Sequence, residues 1–292
     1  MRSLRFNSRG RLNLVLLATV MALASLTYFR PGTQAPVPAI PLIALKAEQV
    51  RDIRIGMPGQ KTVELVRGDH GWQMTAPLTM PADPNLVRTL LDTLDVTSDK
   101  QFSAAGAVLA KYGLDKPAAE LWLNDVRYAF GGLNPVNNLQ YVLTDDAVHL
   151  VNPMLYYRIA HVPYWWVDKG LLPAGSHITA MQLPQATLTL DKRGAWQLAP
   201  ADSAVSADAI QKLMDAWQQN LAIGVTPIGK DPQEGEISLS IAGSTKLLRF
   251  AILKDPDFLV LARPDLGLQY ELDSSLRDTL LSLPRSKTAA AH

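Results

Sequence analysis

The feature that most constrains the fold is a pattern that occurs twice in the chain. Residues 71–77 read Gly-Trp-Gln-Met-Thr-Ala-Pro, and residues 195–200 read Ala-Trp-Gln-Leu-Ala-Pro. A polar turn containing glycine precedes each pattern, and an alternating run rich in β-branched residues precedes each turn, at 62–66 and 187–190. Alternation on the two sides of such a turn is typical of a β-hairpin. The chain is therefore predicted to contain two similar hairpins.

An amphipathic helix is predicted after each hairpin. Asp83 can cap the first helix with Pro84 in its first turn, and Ser206 or Asp208 can cap the second. In each helix the apolar residues recur at the spacing that places them on one face. These residues are Leu86, Val87, Leu90, Leu91 and Leu94 in the first helix and Ile210, Leu213, Met214, Trp217 and Leu221 in the second.

The later parts of the two copies also correspond. Further strand patterns lie at 121–123, 128–130, 141–143 and 148–151 and at 237–241, 247–250, 258–261 and 270–272, and closing helices are predicted at 153–159 and 274–281. Strands grouped around helices without strict alternation predict an α+β fold class. We expect two tandem similar units of antiparallel β-sheet with packed helices, at 44–165 and 176–284, joined by a bridge at 166–175. Duplication explains this order, with chance similarity as the alternative.

The N-terminal segment predicts a transmembrane helix. Residues 1–47 contain no Asp or Glu, and the 18-residue apolar run 12–29 follows four arginines, Arg2, Arg5, Arg9 and Arg11. A helix of that length spans roughly 27 Å, close to the hydrocarbon thickness of a bilayer. The arginine excess places a basic tail, 1–11, in the cytoplasm and the remaining chain outside, which in a bacterium is the periplasm. The segment is thus predicted to anchor the protein in the inner membrane by a single pass.

Two alternatives to an uncleaved anchor agree less well with the sequence. A buried core helix normally has a polar stripe, and the run 12–29 has none. Residues 22–24, Ala-Leu-Ala, resemble a cleavage site, but the apolar run continues beyond them, which favours retention of the anchor. Four prolines predict an extended linker at 30–43, and residues 285–292 are expected to form a flexible tail.

One segment carries a family resemblance. After the first tryptophan strand, Pro-Ala-Asp at 81–83 opens the Leu-rich helix, and Tyr-Gly-Leu-Asp-Lys-Pro follows at 112–117. On these residues the chain resembles the bacterial domain-of-unknown-function 4340 family over roughly 60–220. The resemblance implies an exported or membrane-anchored envelope domain, with some similar domains found beside transport components, and it implies no established reaction. The second copy has a different sequence, 226–232, at the corresponding stretch, so no residue role is transferred there.

The 112–117 segment also has a physical interpretation of its own. Residues 107–112 present a short helical face, and Gly113 suits the left-handed conformation that ends a helix. Leu114 is then expected to pack back onto the last turn. A structural role is favoured for this segment over a binding role.

No catalytic, cofactor-binding or metal-ligating residue is predicted. The chain has no cysteine, and its five histidines show no helical zinc spacing, so each is expected to be exposed or hydrogen-bonded. Residues 224–230 have phosphate-loop spacing, but Asp231 follows where Ser or Thr is required. Asp145 and Asp146 are better explained as a turn between strands than as a catalytic pair. No cofactor is expected.

The aromatic residues before and within the bridge are the candidate partner surface: Tyr156, Tyr157, Tyr164, Trp165 and Trp166. Because Trp and Tyr are frequent at interfaces, they would suit a glycan, a peptide or a lipid headgroup. The alternative is a buried junction between the two units, which is favoured because aromatic area is usually buried.

These observations predict a membrane-anchored periplasmic domain that acts as a non-catalytic binding or accessory module of a cell-envelope or transport assembly. The alternatives are an envelope glycan-acting enzyme with an Asp/Glu pair, whose acids come from distant positions, and a structural spacer or scaffold. From Pro31 onward, 23 basic residues accompany 27 acidic ones without a basic cluster, so nucleic acid is not an expected partner. A protein partner from the envelope or a transporter is expected, and the small-molecule ligand is left open.

Overall fold

The computed structural model describes residues 8–29 and 40–284, and at 8–11 and 26–29 it describes only the backbone. The chain divides into two compact units, Met1–Ile40 and Pro41–His292. Most of the predicted linker 30–43, part of the basic tail 1–11 and the predicted tail 285–292 lie outside the described residues. The end of the predicted linker is described, and there Leu42 and Ile43 are buried in the core.

In its described residues, the first unit contains one helix, α1 (Ser8–Phe29). Within the described residues, no helix is long and apolar enough to span a bilayer. The predicted anchor at 12–29 therefore stays a prediction.

The second unit begins with a ten-stranded sheet. Its strands are β1 (Ile40–Pro41), β2 (Asp52–Gly56), β3 (Val63–Gly68), β4 (Gly71–Ala76), β5 (Met80–Pro81), β6 (Thr97–Ser103), β7 (Ala119–Leu123), β8 (Val126–Leu133), β9 (Gln140–Leu143) and β10 (Ala147–Val151). Their order across the sheet is β1-β6-β10-β9-β8-β7-β2-β3-β4-β5. Helices α2 (Pro84–Leu91) and α3 (Met154–Ile159) accompany this sheet, with 3₁₀ helices at Ala47–Gln49, Leu109–Tyr112 and Pro163–Trp166.

An eight-stranded sheet follows in the chain. Its strands are β11 (Ile178–Leu183), β12 (Ala186–Leu190), β13 (Trp196–Ala199), β14 (Gly224–Pro227), β15 (Gln233–Ile241), β16 (Leu248–Leu253), β17 (Phe258–Arg263) and β18 (Leu268–Asp273). Their order is β13-β12-β11-β15-β16-β17-β18-β14. Helix α4 (Ala207–Gln219) lies between β13 and β14 in the chain, and α5 (Leu276–Leu281) follows β18.

The two sheets have the same order of corresponding strands. Read from β14, the second sheet runs β14-β18-β17-β16-β15-β11-β12-β13, which matches β6-β10-β9-β8-β7-β2-β3-β4 in the first. Strands β2 to β18 pair antiparallel throughout. The mostly antiparallel β architecture with a few helices is therefore shown. The first sheet adds only the short strands β1 and β5, while the division into units at 44–165 and 176–284 stays a prediction.

Local sequence accounts for the helix starts. The Asp83 carboxylate accepts hydrogen bonds from the backbone N–H groups of Asn85 and Leu86, and Pro84 occupies the first helical position of α2. Ser206 caps α4 by accepting from Ala209 N–H, at 3.1 Å. The expected face of the second helix extends too far, because α4 ends at Gln219 and Leu221 lies beyond it with its side chain exposed.

The predicted helix stop at Gly113 is observed, on a shorter helix than expected. A 3₁₀ helix spans Leu109–Tyr112, and Gly113 follows in the left-handed region with φ of 68°. Leu114 N–H donates to the Leu109 carbonyl at 3.0 Å, and the Leu114 side chain is buried. The turn packs against β8, where a Cβ on Gly131 would overlap the Tyr112 carbonyl oxygen.

One core holds the second unit together. Most buried apolar residues of both sheets belong to one cluster, which includes Leu121 and Phe130 from the first sheet and Phe250 and Tyr270 from the second. A small separate cluster of Ala251, Leu253, Val260 and Ala262 lies on β16 and β17. Trp166 lies in the same cluster and is fully buried. The core therefore continues through the segment that joins the two sheets.

Candidate functional site

The segment between the sheets is hydrogen-bonded to residues at the end of β5 and to residues that lead into β14. Asp83 N–H donates to the Trp166 carbonyl at 2.8 Å, and Asp168 N–H donates to the Pro81 carbonyl at 2.9 Å. On the other side, Ala222 N–H donates to the Lys169 carbonyl at 2.9 Å, and Gly170 forms an antiparallel bridge with Leu221. The backbone of this segment is thus fixed by residues that precede and follow the junction.

The five predicted aromatic residues fall into two groups. Trp166 is fully buried, and Tyr156 and Tyr164 are half-buried against the core. Tyr157 and Trp165 have exposed side chains. Trp166 therefore has no surface to offer a partner, because its indole fills the junction core as the junction interpretation expected. The interpretation as a partner surface therefore applies to the two exposed residues, Tyr157 and Trp165.

The Trp165 ring is held by a cation and an imidazole. The His161 ring stacks on it with centroids 5.3 Å apart and an angle of 13° between planes. The Lys169 ammonium lies 4.6 Å from the Trp165 centroid, a distance typical of a cation–π contact with the ring face. The indole nevertheless remains 40% exposed. Its orientation is therefore set before any partner arrives.

Asp83 positions the lysine. Lys169 Nζ lies 3.5 Å from Asp83 Oδ2, and the Asp83 residue is buried. The same carboxylate caps α2, so the ammonium is tied to a helix start. A partly buried charge that is paired in this way loses less by desolvation than an isolated one.

His161 is uncharged near neutral pH. Burial lowers the pKa of its imidazole, and the positive charges of Lys169 and Arg158 lower that pKa further. A neutral imidazole stacks on the indole without adding charge repulsion toward Lys169.

Exposed apolar residues extend the surface around Trp165. Tyr157 and Val162 precede it in the chain, and Leu221 is brought beside the segment by its bridge to Gly170. Ile223, also exposed, precedes strand β14, which packs against the 3₁₀ helix that carries Trp165. We call Tyr157, Val162, Trp165, Leu221 and Ile223 the bridge surface. Sequence reasoning missed Leu221 and Ile223, because a large aliphatic residue in or near a helix or strand is ordinarily assigned to the core.

The acidic side chains that line cavities are spread over the surface. A cavity of about 570 Å³ beside β13 has Asp202 as its charged lining residue. A smaller cavity of about 230 Å³ is lined by Asp52, Glu64 and Asp125, and Arg54 pairs with Glu64 at 3.4 Å. Asp52 and Asp125 are exposed to solvent. In the described ranges no three His, Asp or Glu side chains are grouped to hold a metal ion.

One buried histidine departs from expectation. His149 on β10 is neither exposed nor fully hydrogen-bonded, because its Nδ1 has no partner among the described residues. Its Nε2 lies 3.3 Å from Thr144 Oγ1. Burial lowers the pKa of this imidazole. It lies on β10, which pairs with β6 and β9 in the first sheet.

The model of one protein family, the domain of unknown function DUF4340, matches residues 72–225. The match begins in β4, includes the bridge segment and ends in β14. No curated protein and no solved structure matches the chain. Because the match covers more than half of the chain and agrees with the resemblance seen at 81–83 and 112–117, the protein belongs to the DUF4340 family.

Proposed function

We propose that the protein is a membrane-anchored periplasmic domain that binds a protein partner of an envelope or transport assembly through the bridge surface. The observation that carries this proposal is an exposed indole, Trp165, oriented by His161 and Lys169 on a backbone fixed from both sides. Exposed tryptophan and tyrosine next to aliphatic residues are typical of interface centres. A side chain that is already oriented loses little conformational entropy on binding.

The anchor and the periplasmic location rest on the sequence. The four arginines before the run 12–29, with no acidic residue in 1–47, support an orientation with the N-terminus in the cytoplasm. A fusion of alkaline phosphatase to the C-terminus should be active in a bacterial host, and the intact chain should remain with the membrane fraction after alkaline washing. An inactive fusion, or a chain released into the soluble fraction, would contradict the proposed placement.

Substitution of Trp165 and Tyr157 tests the bridge surface. We expect Trp165→Ala and Tyr157→Ala to reduce recovery of the partner at least about tenfold, since interface aromatic residues commonly contribute 2 kcal/mol or more. A photo-crosslinking amino acid placed at Val162 in the intact cell, read by quantitative mass spectrometry, measures that recovery. Melting temperatures should change little, because both side chains are exposed.

Val136→Ala is the matched control, because Val136 is an exposed aliphatic residue in a loop of the same sheet. It should leave both recovery and melting temperature unchanged. If neither aromatic substitution reduces recovery, the bridge surface is not the docking site, and the spacer or scaffold alternative gains support.

A further inference from the structure

The two sheets differ at both ends, and one of these differences lies beside β4 and its counterpart β13. In the first sheet, β5 covers β4, with Met80 opposite Met74 and Pro81 opposite Gln73. Ala82 N–H extends this pairing by donating to the Trp72 carbonyl at 2.9 Å. In the second sheet the corresponding strand, β13, is the last strand. Within the described residues, the edge that β5 covers in the first sheet is therefore left unpaired by any strand in the second.

The open edge presents a defined set of backbone groups. Asp191 N–H donates to the Ala195 carbonyl at 2.9 Å and closes the β12–β13 hairpin. Hydrogen-bonded and non-hydrogen-bonded pairs alternate along an antiparallel ladder. The register therefore places the next hydrogen-bonded pairs at Gln197 and Ala199. Trp196 and Leu198 consequently direct their N–H and C=O groups away from β12. Across this side no described strand pairs with them.

A cavity lies directly beside this edge. Its volume is about 570 Å³, and Leu198 and Pro200 contribute to its wall from the β13 side. The remaining lining is largely apolar and includes Leu183, Val205, Ile252, Leu281 and Leu283. Asp202 carries the charge in this lining, and it follows the C-terminal end of β13. Backbone groups, an apolar recess and a carboxylate therefore adjoin one another.

We propose that the β13 edge binds an extended peptide segment of a partner protein, which adds a strand antiparallel to β13. The β4–β5 pair provides the template, because β5 is antiparallel to β4 and its Met80 packs against the core. The partner segment thus pairs with the outward backbone groups of Trp196 and Leu198 and presents apolar side chains to the recess beside β13.

A synthetic peptide tests the proposal. The probe is a fluorescent heptapeptide, Lys-Pro-Leu-Thr-Met-Pro-Ala, which copies residues 77–82 of this chain behind an added lysine. Fluorescence polarisation with the purified full-length chain in detergent should show saturable binding above that of empty micelles. A version N-methylated at Met and Ala should bind at least about tenfold more weakly, because it has lost the two backbone N–H groups that would donate to the strand edge. Absence of saturable binding, or equal binding of both peptides, would overturn the proposal.

Two variants at one position separate the edge from the cavity. Leu198→Pro removes an outward N–H and leaves the hydrogen-bonded pairs with β12, and it should abolish binding. Leu198→Ala keeps that N–H and shortens a cavity-lining side chain, so it should weaken binding only several-fold. If Leu198→Pro lowers the melting temperature, the N-methylated peptide decides the question with the unaltered chain. Full binding by a stably folded Leu198→Pro variant would refute strand addition.

This binding edge is distinct from the bridge surface, so Trp165→Ala should leave peptide binding unchanged.

Discussion

At the scale of single residues, a buried histidine in the first sheet makes the stability of the protein depend on pH. His149 has a lowered pKa because burial disfavours its charged form, so the unfolded chain binds a proton more readily than the folded chain does. Its contribution to stability is fully present above the ordinary pKa of 6.5 and decreases as the pH falls below it. His161, whose pKa is lowered in the same direction, adds to this loss.

Substitution of His149 should therefore weaken the dependence of stability on pH. We expect His149→Gln to give a smaller decrease in the free energy of unfolding between pH 7 and pH 5 than the unaltered chain gives, as measured by urea unfolding at each pH. His70→Gln is the control, because His70 lies exposed in the β3–β4 turn. Equal pH dependence in the unaltered chain and the His149→Gln variant would show that this imidazole is not responsible.

At the scale of elements, a close approach of two backbones fixes the turn at Gly113 against β8. A Cβ on Gly131 would overlap the Tyr112 carbonyl oxygen and lie 2.9 Å from the Leu114 side chain. Gly131→Ala should therefore destabilise the protein by about 2 kcal/mol, as overpacking against a rigid backbone does. The decrease is measured as a lower urea midpoint at unchanged slope.

The neighbouring glycine offers a matched control for this prediction. A Cβ on Gly132 would lie 3.6 Å from the Tyr112 carbonyl oxygen, an ordinary contact distance. Gly132→Ala should change the free energy of unfolding by less than about 0.5 kcal/mol, as exposed substitutions usually do. If the two alanine variants were equally stable, the turn would have to move away from β8 without cost.

The elements that sequence could predict are those whose local chemistry specifies them. The hairpins follow from alternation and polar turns, and the α2 start follows from the Asp83 cap and Pro84. Strands β6 and β14 were not predicted, because β6 is polar along most of its length and β14 has Gly and Pro at its ends. These two strands are defined by pairing with β10 and β18, which are distant in the chain.

The candidate site was likewise predictable from sequence only in part. Aromatic density pointed to Tyr157 and Trp165, but it could not separate them from the buried Trp166, because exposure depends on which side of the junction packs. Leu221 was assigned to a helix face, since helical spacing continues through it, although α4 ends two residues earlier. The open edge of β13 was invisible in sequence, because an edge is a property of the assembled sheet.

At the scale of the whole molecule, the two sheets share one strand order but differ at the edge formed by β4 in the first sheet and by β13 in the second. If the order of the eight corresponding strands were all that the sheets had, β4 would be an unpaired edge in the first sheet and β13 an unpaired edge in the second. The first sheet closes this edge with residues that also lead into the cap of α2 and contact the bridge segment through Pro81 and Asp83. Closing the edge and fixing the bridge are thus done by one stretch of chain, which has no counterpart after β13.

The junction should couple the two sheets when the protein unfolds. Trp166 is fully buried in the core shared by both sheets, and its backbone carbonyl accepts from Asp83 N–H. Trp166→Ala should cost about 3–5 kcal/mol, as truncation of a buried tryptophan does. Because the truncation removes a side chain from the core that both sheets share, we expect amide hydrogen exchange to accelerate in β2 and in β18 alike. Trp165→Ala, one position away and partly exposed, should leave both strands protected. Faster exchange in β2 alone would mean that each sheet unfolds independently and that the bridge is a tether between two separate folding units.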